Sequence, residues 1–166
     1  MVDISRLYVD TNVLISLGEG TDQISRAILD LVGTIMPGEE FLFASELSLA
    51  ELLVVPQRMM NDDLISLYDN WIQPEGWLII GPVNRQVLWC AAIIRARYPS
   101  IKLPNAIHLS TGIGFGCSHF LTGDRRLPSE IVISQTRFGQ TSGSARVEIL
   151  ILNLENLSAM TAKRQS

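Results

Sequence analysis

Short apolar runs alternate along this chain with longer segments whose apolar positions recur at helical spacing, and that rhythm restricts the fold more than any other property of the sequence. Leu7-Tyr8-Val9, Phe41-Leu42-Phe43-Ala44, Trp77 to Ile80 and Ser118 to Leu121 suit buried strands. Between them, Ile24, Ile28, Leu31 and Ile35 form one helical stripe, closed by Pro37-Gly38. Leu64, Ile65, Tyr68, Trp71 and Ile72 form a second, and Val83, Val87, Leu88, Ala91 and Ile94 a third. Strands interleaved with helices predict a three-layer α/β/α domain around a central, largely parallel sheet.

Local signals refine this outline. Ser45 suits the N-cap of a helix that carries Glu51 and is stopped by Pro56. Pro104 suits the first turn of a helix running to about Gly114 or Gly116. Ile131-Val132-Ile133 reads as a short strand, and the Ser, Thr, Gly and Gln of residues 134–145 read as a surface loop before the apolar run Val147 to Leu152. With no internal repeat or linker, residues 1–157 are expected to form a single domain and residues 158–166 a frayed tail.

The 166 residues, 47% hydrophobic and 18% charged, supply one core. No apolar stretch approaches the roughly 18 residues of a membrane span, so no membrane association is expected. Met1-Val2-Asp3-Ile4-Ser5-Arg6 lacks the features of a secretory leader, and Cys90 and Cys117 lack Cys-x-x-Cys spacing, so the expectation is a cytoplasmic protein with reduced thiols. A formal charge of −4 provides no global positive field for a polyanion, so nucleic-acid binding would have to be local.

Three acids stand in unusual company. Asp10 ends the first strand and directly precedes a helix start, at the strand end where open α/β folds place their chemistry; its plain alternative is an N-cap. Glu51 lies among Leu47, Leu52 and Val55, where an unpaired carboxylate costs several kcal/mol, so it needs a cation or an ion-pairing arginine. Asp124 ends Phe120-Leu121-Thr122-Gly123-Asp124, where a turn role is the alternative. Parallel topology would bring all three to one edge. Carboxylates about 4 Å apart repel by roughly 4 kcal/mol at an effective dielectric near 20, which favours proton uptake or a divalent ion. Oxygen donors point to Mg²⁺ or Mn²⁺, able to activate water against a phosphodiester.

Four segments, in order, resemble the PIN-domain nucleases and especially the VapC-like toxin ribonucleases. They are Tyr8 to Ile15, Ser45 to Leu52, Leu103 to Thr111 and Leu121 to Leu127. The resemblance implies a parallel sheet with flanking helices, Mg²⁺ or Mn²⁺ dependence, RNA cleavage, an antitoxin partner and frequent dimerisation. It also implies that Asp10, Glu51 and Asp124 hold metal, with the Thr122 hydroxyl near the site. The family usually carries aspartate where this chain has Asn105, so one ligand keeps a carbonyl oxygen and loses its charge. A naturally weakened site, a site working with three carboxylates and an introduced substitution are all compatible with that. His108 reads as packed or supporting rather than as a general base, and His119 has no assigned role. Lys102, Arg125 and Arg126 flank the site and suit phosphate contacts, with plain solvated charge as the alternative. Trp71, Trp77 and Trp89 read as core rather than as platforms for bases. A silent RNA- or protein-binding module is the rival reading. A haloacid-dehalogenase-like phosphatase is weaker still, since Asp10-Thr11-Asn12 lacks a second aspartate two residues on.

Overall fold

The computed structural model describes residues 4–73, 76–138 and 140–166. In chain order the elements are β1 (Leu7–Val9), α1 (Thr11–Glu19), α2 (Gln23–Val32), β2 (Leu42–Ser45), α3 (Leu47–Leu52), α4 (Val54–Met59), α5 (Asp62–Trp71) and β3 (Leu78–Gly81). They continue with α6 (Arg85–Arg97), α7 (Leu103–Gly114), β4 (His119–Thr122), β5 (Glu130–Arg137), β6 (Gln140–Ile151) and α8 (Leu154–Gln165). The strands form one sheet in the order β3-β2-β1-β4-β6-β5, parallel throughout except for the β5/β6 pair.

Strand alternation divides the core between the two faces of that sheet. Leu7, Val9 and Leu121 pack with Val13, Leu14, Ile28, Leu31 and Leu157 on one side. Tyr8, Phe43 and Phe120 pack with Ala91, Ile94, Ile107 and Leu109 on the other. The result is the three-layer α/β/α arrangement. The chain winds from β1 outward to β2 and β3, then crosses back to place β4 on the opposite side of β1. That reversal opens a crevice above the carboxyl ends of β1 and β4, the place where such sheets bind ligands.

Three expectations need correction. Residues 134–145 are not a surface loop: on either side of a turn at Phe138, they lie in β5 and β6, paired antiparallel from Glu130↔Glu148 to Arg137↔Gln140. Residue 139 lies outside the described residues. The polarity of this stretch reports solvent, with Ser134, Gln135, Gly143 and Ser144 exposed, and cross-strand backbone bonds make the strand without an apolar face. Nor is the end of the chain frayed, because residues 158–165 continue α8, capped by Asn153 and anchored by buried Leu157 and Met160. Arg164 there bonds both Glu39 carboxylate oxygens at 2.7 Å and stacks over Phe41 with its guanidinium carbon 3.8 Å from the ring centre. Finally, Pro56 does not stop the helix of Glu51. α3 has already ended, and Pro56 lies buried in the first turns of α4, where a missing N–H costs little. Met60, with φ of 53°, ends that second helix.

Among the described residues no helix is long and apolar enough to cross a membrane. Neither cysteine is in a disulfide. Trp71 and Trp77 pack edge-on, 5.7 Å between ring centres, whereas Trp89 is half exposed on α6.

Candidate active site

Asp10 is the N-cap of α1, accepting from the Thr11 N–H at 2.8 Å, so the capping role and the place at the strand tip coincide. Its carboxylate is almost wholly buried, and its second oxygen accepts from Asn12 Nδ2 and from the Thr122 hydroxyl, each at 2.6 Å. Three donors thus compensate a charge that burial alone would penalise.

Thr122, fully buried at the end of β4, joins the two aspartates: its hydroxyl donates to Asp10 and accepts the backbone N–H of Asp124 at 3.0 Å. Asn12 fastens the same corner by accepting the Gly123 N–H at 2.7 Å. A Cβ on Gly123 would stand 3.2 Å from that amide oxygen, so glycine lets the β4 turn approach α1 closely.

Asp124 is held by Arg126 and Asn105. Arg126 donates from Nε at 2.8 Å and Nη2 at 2.9 Å, one to each carboxylate oxygen, and its backbone N–H adds a bond of 3.0 Å. Asn105, on the first turn of α7, donates its amide at 3.2 Å. Chiefly through the Arg126 guanidinium, the Asp124 carboxyl is pulled down to about 2.

Glu51 projects from α3 on the other side of Asp10. Its partner is not an arginine. Thr11 donates its hydroxyl to Oε2, and His108 Nε2 lies 2.9 Å from the same oxygen. Burial opposes its charge, but the bonds from His108 and Thr11 outweigh burial and hold the carboxyl below its usual value. His108 Nε2 also lies 4.0 Å from Asp10 Oδ1, so the histidine stands between the two acids.

Asp10, Glu51, Asn105, Thr122 and Asp124 therefore meet in one hydrogen-bonded array. Lys102 precedes α7 and Arg125 follows Asp124, both exposed. Sequence reasoning missed Thr11, Asn12 and Tyr8; the only hint was the density of hydroxyl and amide side chains beside the acids. It named Arg126 as a flanking charge, where the structure pairs it with Asp124. His119 starts β4, at the end of the strand opposite Thr122, with Nε2 3.5 Å from Glu148.

The donor chemistry, all oxygen, suits a hard divalent ion. The arrangement does not fit one as it stands: among the described residues no three His, Cys, Asp or Glu side chains gather so that one ion could be held. Each carboxylate is engaged by protein donors instead. Cavities of about 250 and about 600 Å³ lie elsewhere, along α6 and α7, lined by residues such as Val87, Cys90 and Ile113 or Trp89 and Ile133. They hold none of the acids of the crevice, so the chemistry is assigned to the crevice.

Solved structures share this fold. A toxin-antitoxin complex from Klebsiella pneumoniae aligns with a TM-score of 0.53 at 21% identity, over 72% of this chain and 87% of that one. VapC20 of Mycobacterium tuberculosis, a Sarcin-Ricin loop cleaving toxin, aligns with 0.55 at 16% identity, over 69% and 86%. VapBC2 from Rickettsia felis, bound to a DNA fragment from their promoter, aligns with 0.59 at 12% identity, over 89% and 98%. Among curated proteins no sequence matches. The family model of the PIN domain matches residues 7–155, from β1 into α8 and across every residue of the array, and the chain belongs to the PIN domain family.

Proposed function

We propose that this chain is a PIN-type endoribonuclease, the toxin of a toxin-antitoxin pair, hydrolysing RNA phosphodiester bonds with Mg²⁺ or Mn²⁺. The observation that carries this reading is the meeting of Asp10, Glu51 and Asp124, from three separate elements, at the crevice of a PIN fold. The toxin-antitoxin structures that share the fold support an antitoxin protein as partner, and a homodimer and a cytoplasmic place belong to the same reading. The chain acts as a single domain, with α8 as part of it.

In this reading Asp10, Glu51 and Asp124 are the metal ligands, and Asn105 is a neutral member of the set. A divalent ion, when bound, neutralises clustered carboxylates and supplies Lewis-acid chemistry. Asp10, Glu51 and Asp124 would hold such an ion only with the Arg126 bonds to Asp124 exchanged for it. Thr122 holds Asp10 and the Asp124 backbone in register, and Lys102, Arg125 and Arg126, which flank the acids, would contact phosphates.

A second reading, a silent RNA- or protein-binding module, draws on one specific observation: Arg126 and Asn105 satisfy Asp124 without any ion. Cleavage of a labelled RNA pool by this chain and by Asn105→Asp, each with Mg²⁺, Mn²⁺ or EDTA, separates the two. Metal-dependent cutting, present or sharply raised in Asn105→Asp, is expected. No cutting by either, together with no metal binding, overturns the nuclease reading.

A further inference from the structure

A line of hydrogen bonds runs inward from the crevice to the middle of the sheet. The Tyr8 hydroxyl lies 2.7 Å from His108 Nδ1, and His108 Nε2 lies 2.9 Å from Glu51 Oε2. Tyr8 and His108 are essentially inaccessible to solvent, whereas about a third of the Glu51 side chain (34%) is exposed. The line thus has one open end, at the carboxylate, and stops in the core.

Its inner part is rigidly built. The Tyr8 ring stacks on Phe120, centres 5.0 Å apart and planes 5° from parallel. Across from it, Gly112 of α7 presents no side chain; a Cβ there would stand 3.1–3.2 Å from three Tyr8 carbons. β1 and β4 thereby fix the phenol against α7, and burial, its largest influence, drives its pKa well above the ordinary value, so it stays a hydroxyl. An imidazole accepting a proton at Nδ1 carries its own on Nε2. Both recorded bonds to Glu51, from Thr11 and from His108, fall on one oxygen, Oε2.

We propose that His108 is a positioning residue for Glu51: the Tyr8 hydroxyl donates to Nδ1 and fixes the Nε2–H tautomer, whose proton holds Oε2 and sets the carboxylate's direction in the crevice. Because the phenol's other partner is the equally buried Ser45 side chain, the line of bonds stays in the core and orients Glu51 without conducting protons to solvent. Groups that hold a ligating carboxylate from behind change metal affinity by roughly 10–100-fold when removed. This inference rests on the nuclease reading for the use of Glu51, but not for the state of His108.

The test joins ¹⁵N NMR of histidine-labelled protein to Mn²⁺ binding followed by electron paramagnetic resonance. The unsubstituted chain should show His108 protonated on Nε2 and bare on Nδ1, and Tyr8→Phe should show a mixture of tautomers. Mn²⁺ binding should weaken roughly 10–100-fold in His108→Ala and recover largely in His108→Gln, whose amide can donate toward Glu51. A proton on Nδ1 in the unsubstituted chain, or unchanged Mn²⁺ affinity in His108→Ala, overturns the proposal. Should His108→Ala not fold, Tyr8→Phe and His108→Gln decide it: a tautomer mixture with several-fold weaker binding in the former upholds it, and unaltered tautomer and affinity overturn it. If the unsubstituted chain and Asn105→Asp bind no Mn²⁺ at all, the nuclease reading fails, and the tautomer in the unsubstituted chain and in Tyr8→Phe still decides whether His108 is fixed as proposed.

Discussion

Arg126 grips Asp124 with Nε and Nη2 at 2.8 and 2.9 Å, a two-point ion pair inside the acid array of a PIN fold. A guanidinium in this geometry takes one lone pair on each carboxylate oxygen, and the Arg126 N–H and the Asn105 amide take the others, so a cation would compete with all of them.

Removing that competitor should favour metal. Arg126→Ala is expected to bind Mn²⁺ more tightly by on the order of threefold, the modest scale appropriate to an exposed pair. Isothermal titration with Mn²⁺ checks this; weaker binding would mean that Arg126 supports the site rather than competes for it.

Asn105→Asp should act in opposite directions with and without metal. The Asn105 amide donates to Asp124 at 3.2 Å, and replacing it with a carboxylate puts two negative groups in contact. Without metal the melting temperature should fall. With millimolar Mn²⁺ it should rise more than that of the unsubstituted chain, because a ligand that binds only the folded state stabilises it by mass action. Equal Mn²⁺ shifts in both proteins would argue against residue 105 as part of a metal site.

Thr122→Val preserves shape but removes the hydroxyl between Asp10 and Asp124. Leaving the buried Asp10 carboxylate short of a donor costs about 1–3 kcal/mol. Urea unfolding should show a lower midpoint with an unchanged slope.

The docking of α8 is measurable separately from the crevice. Leu157 is fully buried in α8, which packs on α2, and Leu157→Ala should cost about 2–5 kcal/mol in chemical unfolding. A change below 1 kcal/mol would be at odds with a packed α8.

The Glu39–Arg164 pair makes this docking pH-dependent. Bonds from Arg164, and then from the Met36 N–H, hold the Glu39 carboxyl below its ordinary 4.5. A carboxyl depressed by folding contributes stability above its unfolded pKa and loses it as pH falls through the folded one. Melting temperatures taken from pH 6 downward should therefore fall less steeply for Glu39→Gln than for the unsubstituted chain once the pH passes below about 4.5. Parallel curves would remove Glu39 from the acid response.

The sequence by itself determined the layers and the corners of the site. Apolar runs and helical stripes must bury their apolar faces, and strand alternation sends Tyr8 to one layer and Leu7 and Val9 to the other whatever else the chain does. Asp10 at a strand tip and Glu51 on an apolar helix were legible because a charge there violates the pattern around it. Tertiary structure alone decided the partners. The distances that join Thr122 to Asp10, His108 to Glu51 and Arg126 to both oxygens of Asp124 depend on strand order and side-chain rotamers, which local periodicity does not encode. The β5–β6 hairpin escaped notice for a related reason: its polar stretch is held by backbone bonds between strands, and those leave no apolar signature in the side chains.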